Sequence, residues 1–453
     1  MKRKKRTPIV FLLICLLLPV PGGTAYDGLP GVDIQARSAL LVHAQTDEIL
    51  YQHNPHIRRE PASITKMLTA LLALEHGGLD DIVTAEEGDF FDMRTGGSTA
   101  NIAAGEEMTL RDLIYCAMLP SANEACNIIA RHVAGSVEAF LEMMNLRMAE
   151  LGGDNTNITN THGLPDPDHY TTAYDVYLLM RECLNNPEFM VIANTEHIVL
   201  APTNKTPEGR ALTTTNHLIT RRRFPDYIYP FARGVKTGRT ANAGRCLVST
   251  AERDGITLIS VVLGASVDEE TNLDRSFIET RDLFEWGFAN FTMKRILSRT
   301  YQLHGIPVFQ GRDEDRIFLV PERSVEALVP IYLNPEDIER RITVFEPDGV
   351  QAPVTAGTVL GEVRLIYGGR DYGTIPLVAN KTVERDAREA IQDGVGDVID
   401  NILRPGGSLS WIRWALLCIV ALAAIYILFV VALNKNRRRR NMRAANYRGR
   451  KRY

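Results

Sequence analysis

The chain has 453 residues, too many for one ordinary core, so two folded domains with additional segments are expected. Hydrophobic residues at 45% and charged ones at 23% exclude a disordered chain, and no fixed-period repeat or low-complexity tract interrupts the body. The net charge of −4 conceals a split: sixteen of the 51 lysines and arginines lie at the two ends, whereas all 55 aspartates and glutamates lie between them. The body therefore carries about −20, which argues against nucleic acid or an anionic lipid surface as its partner.

The N-terminus reads as a secretory signal over residues 1–25. Lys2, Arg3, Lys4, Lys5 and Arg6 make a basic start, Ile9 to Leu18 is apolar, and Gly23-Thr24-Ala25 supplies small residues for cleavage. The apolar run is too short to cross a bilayer about 30 Å thick. Next, Ser38 to Val42 and Ile49 to Tyr51 are predicted as short strands joined through Gln45-Thr46-Asp47. After Pro61 a helix is expected, with Met67, Leu68, Leu71, Leu72 and Leu74 on its apolar face. Leu110 to Met118, Ala125 to Val133 and Phe140 to Leu151 are further helical stretches.

Strand patterns follow at Gly234-Val235, Cys246 to Thr250 and Thr257 to Leu263, and then a helix from Ser276 to Phe288. Strands first and last with helices between predict one sheet against a helical layer, an α/β (α+β) domain spanning 33–291. Residues 292–384 alternate in short strands with Pro and Gly turns, which predicts a small all-β domain. A polar, partly amphipathic connector, 385–410, leads to a transmembrane helix over 411–433. Trp414 to Leu433 carries no charge and is long enough to span. Residues 434–453 hold ten lysines and arginines. Placed directly behind a spanning segment, they read as a cytoplasmic tail, with the body outside.

Of six cysteines, Cys15 and Cys418 belong to the two apolar ends. Cys116, Cys126, Cys183 and Cys246 are expected as free, buried thiols, and their spacing matches no zinc site. No metal or cofactor is expected.

Three short motifs carry chemistry: Ser63-Ile64-Thr65-Lys66 at the start of the first long helix, Ser121-Ala122-Asn123 in the break between two helices, and Lys236-Thr237-Gly238 on a strand. Each is weak alone; Ser63 could cap a helix and Ser121 could sit in an ordinary turn. Their order, spacing and setting make the set strong. Serine and lysine three residues apart share one helix face, and a serine hydroxyl attacks only when a base takes its proton. A neutral lysine requires burial or a nearby cation, a part Lys236 can play if the fold brings it close. The Ser63 backbone N–H and a strand N–H near Gly238-Arg239 suit an oxyanion hole.

With these residues the chain resembles the D-alanyl-D-alanine carboxypeptidases, the low-molecular-mass penicillin-binding proteins with the β-lactamase/transpeptidase-like fold. Gly163-Leu164, His169 to Ala173, Ala243-Gly244 and Trp286 to Phe291 extend the likeness over 33–291, and more loosely over 292–384. The resemblance implies that Ser63 forms the acyl-enzyme, Lys66 is its base, and Ser121 relays a proton to the leaving D-alanine. It also implies that Asn123 holds the substrate backbone, while Lys236 and Thr237, with Gly238 and Arg239 beside them, face the terminal carboxylate. Arg275 is a second candidate for that carboxylate. The implied partners are a peptidoglycan stem peptide and β-lactams.

Three features depart from the family. Arg239 stands where an aromatic or small polar residue is more usual, which changes the rim of the pocket; Thr46-Asp47-Glu48 replaces a Thr-Gly turn; and the C-terminus crosses the membrane where many relatives lie on it. Two other readings share the motifs. A β-lactamase needs a deacylating glutamate, for which Glu142 to Asn145 is the nearest match, inside an amphipathic helix. A catalytically idle wall-binding or β-lactam-sensing receptor would not need the intact motifs.

Overall fold

The computed structural model describes residues 29–91, 97–222, 224–404 and 410–449. The signal segment and Cys15 lie outside them. The chain divides into two compact units, one reaching Lys294 and including Leu328–Leu333, the other comprising Arg295–Ala327 and the chain from Asn334 onward.

The first unit is built on a five-stranded antiparallel sheet. Its strands are β1 (Ser38–His43), β2 (Glu48–His53), β7 (Ala232–Thr240), β8 (Gly244–Arg253) and β9 (Ile256–Ala265), in the order β2-β1-β9-β8-β7. Between β2 and β7 come α1 (Lys66–His76), β3 (Ile82–Thr84), β4 (Glu107–Thr109), α2 (Leu110–Met118), α3 (Asn123–Ala134), α4 (Val137–Glu150), α5 (Ala173–Leu184), α6 (Pro187–Ala193) and the hairpin β5 (His197–Leu200) and β6 (Arg210–Thr213). The last helix, α7 (Arg275–Asn290), follows β9.

The expectation of one helical layer needs a second. Leu40, Val42, Val248, Ile259 and Val261 join one core with residues of α1 to α6. Ala39, Leu41, Leu247, Leu258 and Val262 point the other way, into a separate core with Phe277, Leu283, Phe284 and Phe288 of α7. Successive strand residues face opposite sides, so Leu40-Leu41-Val42 and Val261-Val262-Leu263, apolar without alternation, are buried on both. Each large side chain so buried stabilises the fold by about 1.5–3 kcal/mol.

Local signals account for several helix starts. The Thr109 hydroxyl accepts from the Asp112 N–H at α2, that of Ser136 from the Ala139 N–H at α4, and that of Thr172 from the Asp175 N–H at α5. Cys116, Cys126, Cys183 and Cys246 are buried and form no disulfide among the described residues. Burial pushes the Cys246 thiol up to about 11, leaving it inert.

The second unit is all-β up to residue 379. Its six-stranded sheet runs in the order Glu339–Val344, Val359–Tyr367, Arg370–Ala379, Arg316–Pro321, His304–Phe309 and Val350–Gln351. The expected connector is largely a helix, α8 (Ala387–Leu403), started by the Asp386 carboxylate accepting from the Arg388 N–H. Beyond it, α9 (Ser410–Gly449) contains one stretch, Trp411–Arg437, that is long and apolar enough to cross a membrane.

Candidate active site

Ser63 sits in a 3-10 turn, Ala62–Thr65, that delivers the chain into α1. The preceding Ala62 has φ of 49°, a left-handed conformation that a residue with a Cβ adopts only under constraint. The constraint is visible. The His169 Nδ1 accepts from the Thr159 N–H at 3.0 Å, which leaves the proton on Nε2, 2.9 Å from the Thr65 hydroxyl. That hydroxyl in turn donates to the Ala62 carbonyl at 2.9 Å. Burial, reinforced by the charge of His162, lowers the His169 pKa to about 4, so the neutral tautomer holds at ordinary pH.

Lys66, the first residue of α1, is fully buried. Its Nζ lies 2.9 Å from Ser63 Oγ, 2.8 Å from Asn123 Oδ1 and 2.7 Å from the His162 carbonyl. A neutral amine has two protons and one lone pair. Two donations, to Asn123 and His162, leave the lone pair aimed at the Ser63 hydroxyl, the arrangement a base requires. Burial lowers the Lys66 pKa to about 8, against the weaker pull of Cys126 and Glu124.

Lys236 comes from β7 and is equally buried. Its Nζ donates to the Thr237 carbonyl at 3.1 Å. Burial, and then the charge of Lys66, hold it well below an ordinary lysine. The two buried ammonium groups oppose one another, which disfavours both being charged. The Thr237 hydroxyl meets that of Thr215 at 2.5 Å. β7 is the free edge of its sheet, and Gly238 brings that edge against the Ser63 turn. A Cβ there would lie 3.0 Å from the Pro61 carbonyl and 3.2 Å from the Ser63 nitrogen.

Ser121 also has a left-handed backbone, φ 69°, and its buried hydroxyl has no hydrogen-bond partner among the described residues. An orphaned hydroxyl is costly in a core and calls for an explanation. Asn123 is the first residue of α3, not part of the break before it, and its backbone N–H donates to the Ser98 carbonyl at 2.9 Å.

Ser63, Lys66, Asn123, Lys236, Thr237 and Gly238 thus converge. Arg275 opens α7, with its guanidinium held by Glu279 at 3.0 Å and Asp268 at 3.2 Å. Arg239 is exposed at the outer end of β7. Glu142 is exposed on α4, and Asn145 spends its amide on the Leu141 and Ile158 backbone, so this pair is structural. Among the described residues no cluster of metal ligands occurs.

The motifs alone did not reveal the His162 carbonyl, Thr215 or the function of Gly163. Gly163 has φ of 88°, and a Cβ there would fall 1.8 Å from the Ala62 carbonyl oxygen and 2.9 Å from the Thr65 hydroxyl. Gly163→Ala is therefore expected to displace the Ser63 turn and slow β-lactam acylation about 100-fold. Acylation kinetics alongside circular dichroism check this; a folded variant acylating at the wild-type rate would show that the close approach is unimportant.

Comparison with known proteins agrees with the geometry. A family model for the D-alanyl-D-alanine carboxypeptidases, peptidase family S11, matches residues 25–267, and one for the C-terminal domain of penicillin-binding protein 5 matches 291–385. The chain belongs to the D-alanyl-D-alanine carboxypeptidase family. It is a serine-type carboxypeptidase of peptidoglycan metabolism, with the penicillin-binding-protein fold of a catalytic domain and an all-β domain. Among its relatives, the D-alanyl-D-alanine carboxypeptidase DacF of Bacillus subtilis is 28% identical, over 85% of this chain and 95% of its own. DacD of Escherichia coli is 30% identical, over 78% and 87%. The solved structure of penicillin binding protein 5 from Haemophilus influenzae matches the carboxypeptidase with a TM-score of 0.58 at 27% identity, covering 79% of this chain and all of that one.

Proposed function

We propose that the enzyme removes the terminal D-alanine from stem pentapeptides through an ester on Ser63. The observation that carries this reading is the Lys66 Nζ, buried, 2.9 Å from Ser63 Oγ and supplied with two other acceptors for its protons. Lys66 takes the hydroxyl proton as Oγ attacks the carbonyl carbon of the penultimate D-alanine. The developing oxyanion is held by the Ser63 N–H and a β7 N–H beside Gly238. Collapse breaks the peptide bond, and the proton passes through Lys66 and the unpartnered Ser121 hydroxyl to the departing amine. Water then hydrolyses the ester, Lys66 again acting as base.

Lys236 and Thr237 receive the terminal carboxylate, a buried cation and a hydroxyl on one strand edge. Asn123, which accepts from Lys66 at 2.8 Å, orients the peptide amide. Arg275 stays outside this set, since two carboxylates already neutralise it. β-Lactams, whose strained amide mimics the scissile bond, acylate Ser63 and leave slowly. The body faces the outside, Trp411–Arg437 crosses the cell membrane, and the basic tail remains in the cytoplasm.

The direct test incubates the detergent-solubilised full chain with diacetyl-L-Lys-D-Ala-D-Ala. Free D-alanine is expected to accumulate over many turnovers. Labelling by penicillin without any release of D-alanine would instead make the protein a β-lactam-sensing receptor.

A further inference from the structure

Arg239 immediately follows the Lys-Thr-Gly segment, yet the reaction above makes no use of its side chain. The residue is exposed, and no carboxylate among the described residues lies within ion-pair distance of its guanidinium. Its neighbours differ. Arg245, directly opposite on β8, is paired with Asp274 at 3.1 Å, and Arg275 is held by Asp268 and Glu279. In a body that carries about −20, an arginine left without an acid beside the nucleophile is a charge in want of a partner.

The register of β7 says where that partner comes from. Along this free edge Lys236 and Thr237 come first, Gly238 lies against the Ser63 nitrogen, and Arg239 is next. A peptide with its terminal carboxylate at Lys236 and Thr237 and its penultimate carbonyl at Ser63 can extend in one direction only, so its acyl half runs past Arg239. Strand periodicity places Arg239 on the same face as Thr237, about 7 Å further on. That is the level of the residue preceding the D-alanyl-D-alanine pair.

We propose that Arg239 is a specificity-determining residue that reads a carboxylate on that preceding residue. The enzyme accordingly prefers stem peptides whose diamino acid keeps a free side-chain carboxylate over those in which it is amidated. A guanidinium pairs two oxygens of a carboxylate, whereas amidation removes both the charge and one acceptor. The inference rests on Ser63 and Lys236 fixing the peptide as assigned above.

The test uses two peptides, N-acetyl-meso-diaminopimelyl-D-Ala-D-Ala with its side-chain carboxyl free or amidated. Binding is measured by titration calorimetry to the full chain carrying Ser63→Ala, alone or with Arg239→Gln or Arg239→Lys. The Ser63→Ala chain is expected to bind the free acid about tenfold more tightly at low salt. Arg239→Gln should reduce that preference below about twofold, Arg239→Lys should keep part of it, and raised salt should weaken it. Equal affinity for both peptides, or a preference that survives Arg239→Gln, overturns the proposal. Because this binding is read on a chain that cannot acylate, a failure of D-alanine release in the wild type counts separately, against the carboxypeptidase reaction.

Discussion

Replacing Ser63 with alanine is expected to abolish both the penicillin adduct and the release of D-alanine, lowering turnover by about 10⁴-fold or more. The loss is that large because no other group can form the ester. Ser121 lies nearest in kind, but its hydroxyl has no hydrogen-bonded base, whereas Ser63 has Lys66 at 2.9 Å. The substitution removes one half-buried oxygen and leaves Ala62, Thr65 and His169 in their network, so the fold survives it. Mass spectrometry of the intact chain after penicillin treatment reads the result directly: one adduct on the wild type, none on the variant. An adduct that persists on Ser63→Ala would remove the nucleophile assignment and the mechanism with it.

The serine and lysine were legible because their meaning lies in spacing: three residues apart, they share a face whether the turn is 3-10 or α. What could not be read was the turn itself. A left-handed Ala62 carries no signature in residue type, since it is imposed by Thr65, His169 and Gly163, two of them about a hundred positions away. The His162 carbonyl is more hidden still, because every residue offers a carbonyl. Among the elements, α2 is recovered over Leu110–Met118 since its apolar residues recur at helical spacing behind a Thr109 cap. The segment from α5 to β6 went unread. α5 buries residues on nearly every side, α6 has only seven residues, and the two strands of the hairpin are four residues each. Such pieces are specified by what they touch rather than by their own pattern. Arg275 has partners that a short motif does not reveal. The resemblance gave it as a candidate for the substrate carboxylate, and Glu279, four residues on, supplies a carboxylate from the same helix.

Lys66→Met, which keeps the apolar stem and removes the nitrogen, should slow acylation about 10³- to 10⁴-fold. The pH dependence of the wild type says which property of the lysine is lost. Acylation requires the Lys66 lone pair, and the group carries a proton below a pKa of about 8. The rate constant for penicillin acylation should therefore rise about tenfold per pH unit below that value and level off above it. A carboxylate or histidine base would give the same sign of slope but place the bend far lower. The bend belongs to the pair of lysines rather than to one of them, because Lys66 and Lys236 oppose each other's charge in the same buried pocket. A negative carboxylate arriving at Lys236 keeps the remaining proton there and leaves Lys66 free to accept one from Ser63. A flat profile from pH 6 to 9 in the wild type would show that Lys66 does not take the proton.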